Sequence, residues 1–270
     1  MSSAIASASD HATLTPGQRL YLPEYDLVPF REPTRRYLIL APQRTGSNYL
    51  CRRLCNVRGR FGMPSEYLNP VAIRMLAPRL LPGTAADSVP FAAYMEAVQR
   101  ARTSADGWFG IKLQPAQLAA FAPGDRALFD FAASFQRIVV LSRRDKLGQA
   151  ISGTLAALTG TWFNDGTPAA IDQSRWPELF PAIAANLARY IEEDRRLAAL
   201  GKALARPWLR IEYEEILGDG QAAFEQLVEF LSVGESVVIE EADDVTVPKK
   251  QPVEASEALR ARFLQYIGGG

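Results

Sequence analysis

Apolar residues are spaced in two ways along this chain. Residues 36–41 (RYLILA), 108–113 (WFGIKL), 137–141 (RIVVL) and 208–211 (WLRI) form short continuous runs rich in β-branched and aromatic side chains. Such runs mark strands buried on both faces. In residues 92–101, 117–135, 146–159, 181–204 and 220–231, apolar positions recur at intervals of three and four. That spacing puts them on one face of a helix. Strands alternating with helices predict an α/β fold, a parallel central sheet flanked by helices.

The first strand runs into PQRTGSN and then YLCRRLCNV, in which Leu50, Leu54 and Val57 have helical spacing, so a glycine-containing turn joins strand to helix. Residues 1–18 are rich in Ser and Ala without a period and are expected to be a disordered N-terminal arm. Residues 19–270 show no internal repeat and no long linker, which predicts a single domain. Residues 161–176 (TWFNDGTPAAIDQSRW) have the composition of a long functional loop.

Composition narrows the partners. Hydrophobic residues make up 48% and charged ones 22%, and thirty Lys and Arg balance thirty Asp and Glu. A neutral chain lacks the basic excess that nucleic acid or an anionic membrane recruits. The start has no basic region followed by an apolar stretch, and no run is long enough to span a bilayer, so a cytoplasmic location is expected. Cys51 and Cys55, the only cysteines, fall on one face of the first helix and suit two half-buried thiols rather than a disulfide framework. The only histidine is His11, in the expected arm, so no metal site is expected.

Two segments carry candidate chemistry. In residues 42–48, Arg44 is a cation, Thr45, Ser47 and Asn48 offer side-chain donors, and Gly46 allows close approach of backbone to an anion at a helix N-terminus. The spacing is not that of an ATP-binding GxxxxGK[ST] loop. Read alone, the loop is equally a turn that caps a helix. The second segment is residues 141–152 (LSRRDKLGQAIS), where a strand ends in two arginines before a helix. Arg144 and Ser152 could meet there only if the chain bends sharply at the strand end.

With these segments in view, the chain resembles PAPS-dependent sulfotransferases, specifically the bacterial trehalose 2-sulfotransferase and Nod-factor sulfotransferase family. The resemblance is carried by YLILAPQRTGSNYL, FGMPSEYLNP, FGIKL, VVLSRRDKLGQAIS, TGTWF, IEYEEIL and VPKKQPVEASEALRARF, in the family's order. It implies a P-loop-like sulfotransferase fold. It also implies that Arg44, Thr45, Gly46, Ser47 and Asn48 hold the 5′-phosphosulfate of 3′-phosphoadenylyl sulfate (PAPS), and that Arg144 and Ser152 hold its 3′-phosphate. Lys249, Lys250 and Gln251 match the last donor-contacting loop, although basic residues in such a loop are equally solvated charges. Tyr213 resembles a tyrosine near the adenine, and a core aromatic accounts for it as well.

Sulfuryl transfer needs no metal; it needs in-line positioning and cations for the charge that develops on the leaving phosphate of PAP. Arg44 and Lys112 suit that role. Related eukaryotic enzymes carry a histidine base where this chain has Gln114. The family's G-x-P-x-E-[YF] element makes Glu66 the expected general base, in a segment where Met63 replaces an often acidic residue. Glu66, Gln114, Trp162 and Phe163 are the candidates for an acceptor site. The resemblance implies a sugar, glycolipid or other small-molecule hydroxyl as acceptor and leaves a homodimer open. Two other readings stand beside it: an ATP-dependent small-molecule kinase, and a non-catalytic PAP-binding protein.

Overall fold

The structure, a computed structural model, describes residues 14–57, 60–84, 88–162, 172–232, 235, 237–242, 244–248 and 254–268. A strand without polar alternates has to be covered on both faces. In β1 (Arg35–Leu40) the residues from Tyr37 to Leu40 are indeed wholly buried. β1 pairs in parallel with β2 (Trp108–Leu113) and β3 (Arg137–Ser142), and β4 (Trp208–Glu212) pairs in parallel with β3. The order is β2-β1-β3-β4. Leu40 lies opposite both Leu113 and Val140, so the C-terminal ends of the three strands form one edge of the sheet. Ligands of open parallel sheets bind at that edge.

Side chains alternate between two cores, as the two-residue period of a strand requires. Leu38, Leu40, Phe109, Ile111 and Val140 face one layer with α3 (Pro70–Leu80) and α4 (Phe91–Arg102). Ile39, Ala41, Val139, Leu141 and Ile211 face the other, with α2 (Ser47–Asn56) and α10 (Gly220–Ser232). At 25 cal/mol per Å², each fully buried Leu, Ile or Val contributes about 1.5–3 kcal/mol. Gly110 keeps β2 open to its neighbour: a Cβ there would lie 2.1 Å from Cζ of Tyr37, whose hydroxyl crosses to the Phe61 carbonyl.

All four predicted strands are present. The helix predicted over residues 117–135 is two, α5 (Pro115–Ala119) and α6 (Asp125–Ala133), because the chain turns at Gly124 with φ +100° after Pro123. Both pieces keep apolar residues on the same core, so their periodicity reads through the break. Residues 146–159 form α7 (Lys146–Thr159) as expected, while α8 (Trp176–Ala203) starts five residues before the predicted helix, with Pro177 in its first turn, and carries Pro181 inside it. α9 (Tyr213–Gly218) follows β4. Unpredicted are α9, α3, which Asn69 caps through Val71 N with Pro70 in the first turn, and α11 (Glu254–Gly268).

Of the expected N-terminal arm, residues 1–13 lie outside the described residues. The next stretch is a helical turn, α1 (Pro16–Arg19), closed by a capping box between Thr15 and Gln18. Beyond it the chain is tied down: Leu27 N donates to the Ala101 carbonyl, Arg102 donates to the Tyr25 carbonyl, and Asp26 pairs with Arg79 and Arg102.

Candidate active site

The β1–α2 loop turns at two special positions, one on each side of Thr45. Arg44 has φ +64° and Gly46 has φ +75°, the latter at the N-cap of α2 without a side-chain cap. The first N–H groups of α2 are therefore not closed off by a capping side chain, which is what an anion site at a helix start requires. Tyr213 and Ile216 of α9 lie over Gly46, where a Cβ would come within 3.1 and 3.0 Å of them. The Thr45 hydroxyl is buried and donates to the Pro42 carbonyl, so it braces the loop.

Arg44 Nε donates to Ser152 Oγ at 2.8 Å, and its Nη1 donates to the Trp162 carbonyl. Burial lowers the Arg44 pKa, and neighbouring Arg143 adds to the effect while Tyr213 and Tyr190 oppose it. A desolvated cation of this kind gains more from an anion than an exposed one does. Ser152 thus meets Arg44. Arg144 is 68% exposed; its Nε lies 3.6 Å from Glu214, whose carboxylate also accepts from the Arg144 and Asp145 backbone N–H groups.

Arg143, which the sequence did not single out, faces inward. Its guanidinium stacks 4.5 Å from the Tyr213 ring, its Nη1 reaches the Arg44 carbonyl at 3.5 Å, and its buried Nε has no hydrogen-bond partner among the described residues. A buried guanidinium N–H without a partner is costly, and an anionic ligand would satisfy it. Arg44, Arg143 and the capless helix start thus bring anion-binding donors together around the β1–α2 loop.

Next to the loop is a charged cluster. The segment carrying Glu66 lies along the end of β2, where Lys112 N donates to the Ser65 carbonyl at 3.0 Å. Lys112, 4% exposed, places Nζ 2.5 Å from Glu66 Oε1 and 2.6 Å from Asn48 Oδ1. Glu66 also accepts from Gln114 Nε2 at 3.1 Å, Gln117 Nε2 at 2.8 Å and Asn69 Nδ2 at 3.1 Å. Each carboxylate oxygen receives two donors. Burial alone would raise the Glu66 pKa; Lys112, through its charge and hydrogen bond, with Asn69 and Gln117, brings it down to about 2. Gln117 and Asn69 were not anticipated, although both occupy helix-start positions, Asn69 as a cap and Gln117 as the partner of Gln114 in a capping box.

Arg44, Ser47, Asn48, Glu66, Lys112 and Gln114 are among the residues that line one cavity of about 720 Å³. Trp162 lines it too and is 38% exposed. Cys51 is on the same wall, its thiol pushed up to about 12 by burial and therefore protonated at neutral pH. Phe163, Lys249, Lys250 and Gln251 lie outside the described residues. Among the described residues no three His, Cys, Asp or Glu side chains group in a way that could hold a metal, and no helix is long and apolar enough to cross a membrane.

A parallel sheet with its anion loop after the central strand β1, leading into a helix start, defines an α/β protein of the P-loop-like type. The chain belongs to the Stf0 sulphotransferase family, whose sequence model matches residues 36–240. A search of curated proteins returns no match. Among solved structures, the sulfotransferase domain of the Synechococcus PCC 7002 olefin synthase is 14% identical, over 87% of this chain and 89% of that one, with a TM-score of 0.45. Sulfotransferase STF9 from Mycobacterium avium is 11% identical, over 87% of this chain and 77% of its own, with a TM-score of 0.46. The sulfotransferase domain from the curacin biosynthetic pathway is 10% identical, over 88% and 99%, with a TM-score of 0.41.

Proposed function

We propose that this protein transfers a sulfuryl group from PAPS to a hydroxyl of a carbohydrate or another small-molecule acceptor, giving a sulfate ester and PAP. The observation that carries the reading is the Lys112 ammonium held between Asn48 of the anion loop and the Glu66 carboxylate. It puts a buried cation and a carboxylate side by side where an anionic donor and a hydroxyl would meet.

PAPS supplies a sulfuryl group that gains a bond to the acceptor oxygen as its bond to the phosphate oxygen breaks, the electron pair leaving with PAP. Arg44 and the N–H groups at the start of α2 bind the phosphosulfate end. Arg143 and Arg144 provide the positive charge at the end of β3 for the 3′-phosphate, with Tyr213 beside them. Lys112 stabilises the charge that develops on the leaving oxygen. Glu66 takes the acceptor's proton, which requires that one of its four donors give way first. Lys112 is the one with a reason to move, since a bound anion competes for its ammonium. As Lys112 withdraws, Glu66 loses its strongest acidifying contact and its pKa rises toward a useful range. Gln114, Gln117 and Asn69 keep the carboxylate oriented meanwhile.

The test is calorimetry with PAP and AMP, followed by transfer from labelled PAPS. A sulfotransferase should bind PAP at least tenfold more tightly than AMP, without Mg²⁺. Equal affinities with Mg²⁺-dependent ATP turnover would instead establish a kinase, and PAP binding without transfer to any acceptor would establish a non-catalytic binding protein.

A further inference from the structure

Part of the cavity wall comes from a stretch of the chain that the family's sequence model does not reach. That match begins at residue 36, whereas Thr15, Gly17, Gln18, Leu20 and Tyr21 all line the cavity together with Arg44, Glu66 and Lys112. We propose that residues 15–21 are an acceptor-selecting strap, with Thr15 and Gln18 meeting a neutral, polyhydroxylated acceptor. The proposal deepens the sulfotransferase reading and rests on it.

The strap is built into the site. Leu20 is buried with Cys55, Met63 and Val245. The buried Tyr21 ring lies 6.5 Å from that of Tyr67, and its hydroxyl accepts from Ser65 Oγ at 3.3 Å and reaches the Glu66 carbonyl at 3.5 Å. Arg79 donates to the Tyr21 carbonyl while pairing with Asp26. The segment is thus fixed at its C-terminal end, through Tyr21, beside the backbone of the residue assigned as base. Met63, the residue in the position often acidic in the family, acts here as the apolar seat of Leu20.

The chemistry of the strap indicates the class of ligand. All five of its lining residues are uncharged. Thr15 N donates to Gln18 Oε1 at 2.8 Å, and Gln18 N donates to Thr15 Oγ1 at 3.3 Å. The capping box thus fixes the Gln18 side chain through its oxygen and leaves the amide N–H groups to a ligand. Gln114, Gln117, Asn69 and Gln43 add neutral amides around the same space. Neutral donors and acceptors spread over several sides of a cavity match an uncharged molecule with hydroxyls in several directions. Beyond Arg44 and Lys112 the one cation among the lining residues is Arg52, which is buried and donates to the Thr246 carbonyl.

Two full-length variants test the strap. Transfer from labelled PAPS to glucose, maltose and maltotriose is measured for the wild type, Gln18→Ala and Gln18→Trp, with donor hydrolysis by water and PAP affinity measured on the same proteins. Gln18→Ala should raise KM for the sugars about five- to tenfold, as loss of one hydrogen bond does, with kcat less affected. Gln18→Trp should lower the ratio of sugar transfer to donor hydrolysis, most for maltotriose and least for glucose. Unchanged KM values and unchanged size order in both variants would overturn the proposal, as would an equal loss of sugar transfer and hydrolysis, which would locate Gln18 at the donor. If the wild type fails to prefer PAP to AMP, the sulfotransferase reading falls instead.

Discussion

Lys112 and Glu66 form a buried ion pair whose lysine also holds the anion loop, with Nζ 2.5 Å from the carboxylate and 2.6 Å from Asn48 Oδ1. The carboxylate is saturated by Lys112 and three amides, and the lysine is shared between two elements that are distant in sequence. In this arrangement Glu66 is acidic, pinned and a weak base. In the proposed reaction it becomes useful only when the lysine is drawn away, which would link occupation of the loop to readiness of the base through one ammonium group. Under that proposal the donor binds first.

Replacing Glu66 by Gln tests the base. Turnover should fall by roughly 10²–10⁴. Because Lys112 loses its charged partner, PAP affinity should stay the same or increase. Single-turnover transfer and PAP calorimetry on Glu66→Gln measure both, and unaltered turnover would remove Glu66 from the role.

The pair also makes stability depend on pH. Glu66 is lowered from an ordinary 4.5 to about 2 in the folded protein. A depressed carboxylate stabilises the fold above its unfolded pKa, and this contribution is lost as pH falls from about 4.5 through about 2. At neutral pH it is on the order of 3 kcal/mol. Denaturant unfolding of the wild type and Glu66→Gln at pH 7 and pH 3 should show the stability gap between them narrowing by about 2 kcal/mol at the lower pH.

These features differ in how far the sequence discloses them. The strand, turn and helix around Arg44 are local, and their pattern is legible from adjacent residues. The Lys112–Glu66 contact is not, because it depends on Ser65 docking at the end of β2, which no spacing encodes. Ser152 shows the limit of motif reading. The family resemblance pairs it with Arg144 on a 3′-phosphate, while in this structure its hydroxyl meets Arg44, 108 positions earlier, and Arg144 turns outward to Glu214. Gln117 and Asn69 carried readable helix-start signals, but nothing local pointed them at Glu66. The strap was hidden by its composition: a Ser- and Ala-rich start reads as an arm, and only the anchors at Tyr21 and Asp26 reveal a wall.

Gly46 provides a test of the loop's shape. Alanine there must adopt φ +75° and would bring a Cβ within 3.0 Å of Ile216 Cδ1 and 3.1 Å of Tyr213 Cδ2. The left-handed backbone alone costs about 1–2 kcal/mol. Gly46→Ala should therefore lower Tm and weaken PAP binding at least tenfold, as Tyr213 and the loop are pushed apart. Thermal unfolding with and without PAP checks both effects.

The two arginine sites are separated by a double-mutant cycle on PAP affinity. Arg44 donates directly to Ser152, so Arg44→Ala and Ser152→Ala remove parts of one unit. Arg44→Ala should weaken PAP by roughly ten- to a hundredfold, the worth of a charge-assisted hydrogen bond. Ser152→Ala should cost less, and the double variant should fall short of the sum by about 0.5 kcal/mol or more. Arg144 has Glu214 as its ionic partner, so Arg144→Gln should combine with Arg44→Ala additively to within about 0.5 kcal/mol. Additivity for Arg44 with Ser152 would mean that their contact is lost once the donor is bound. Coupling for Arg44 with Arg144 would mean that the ligand itself joins the two sites.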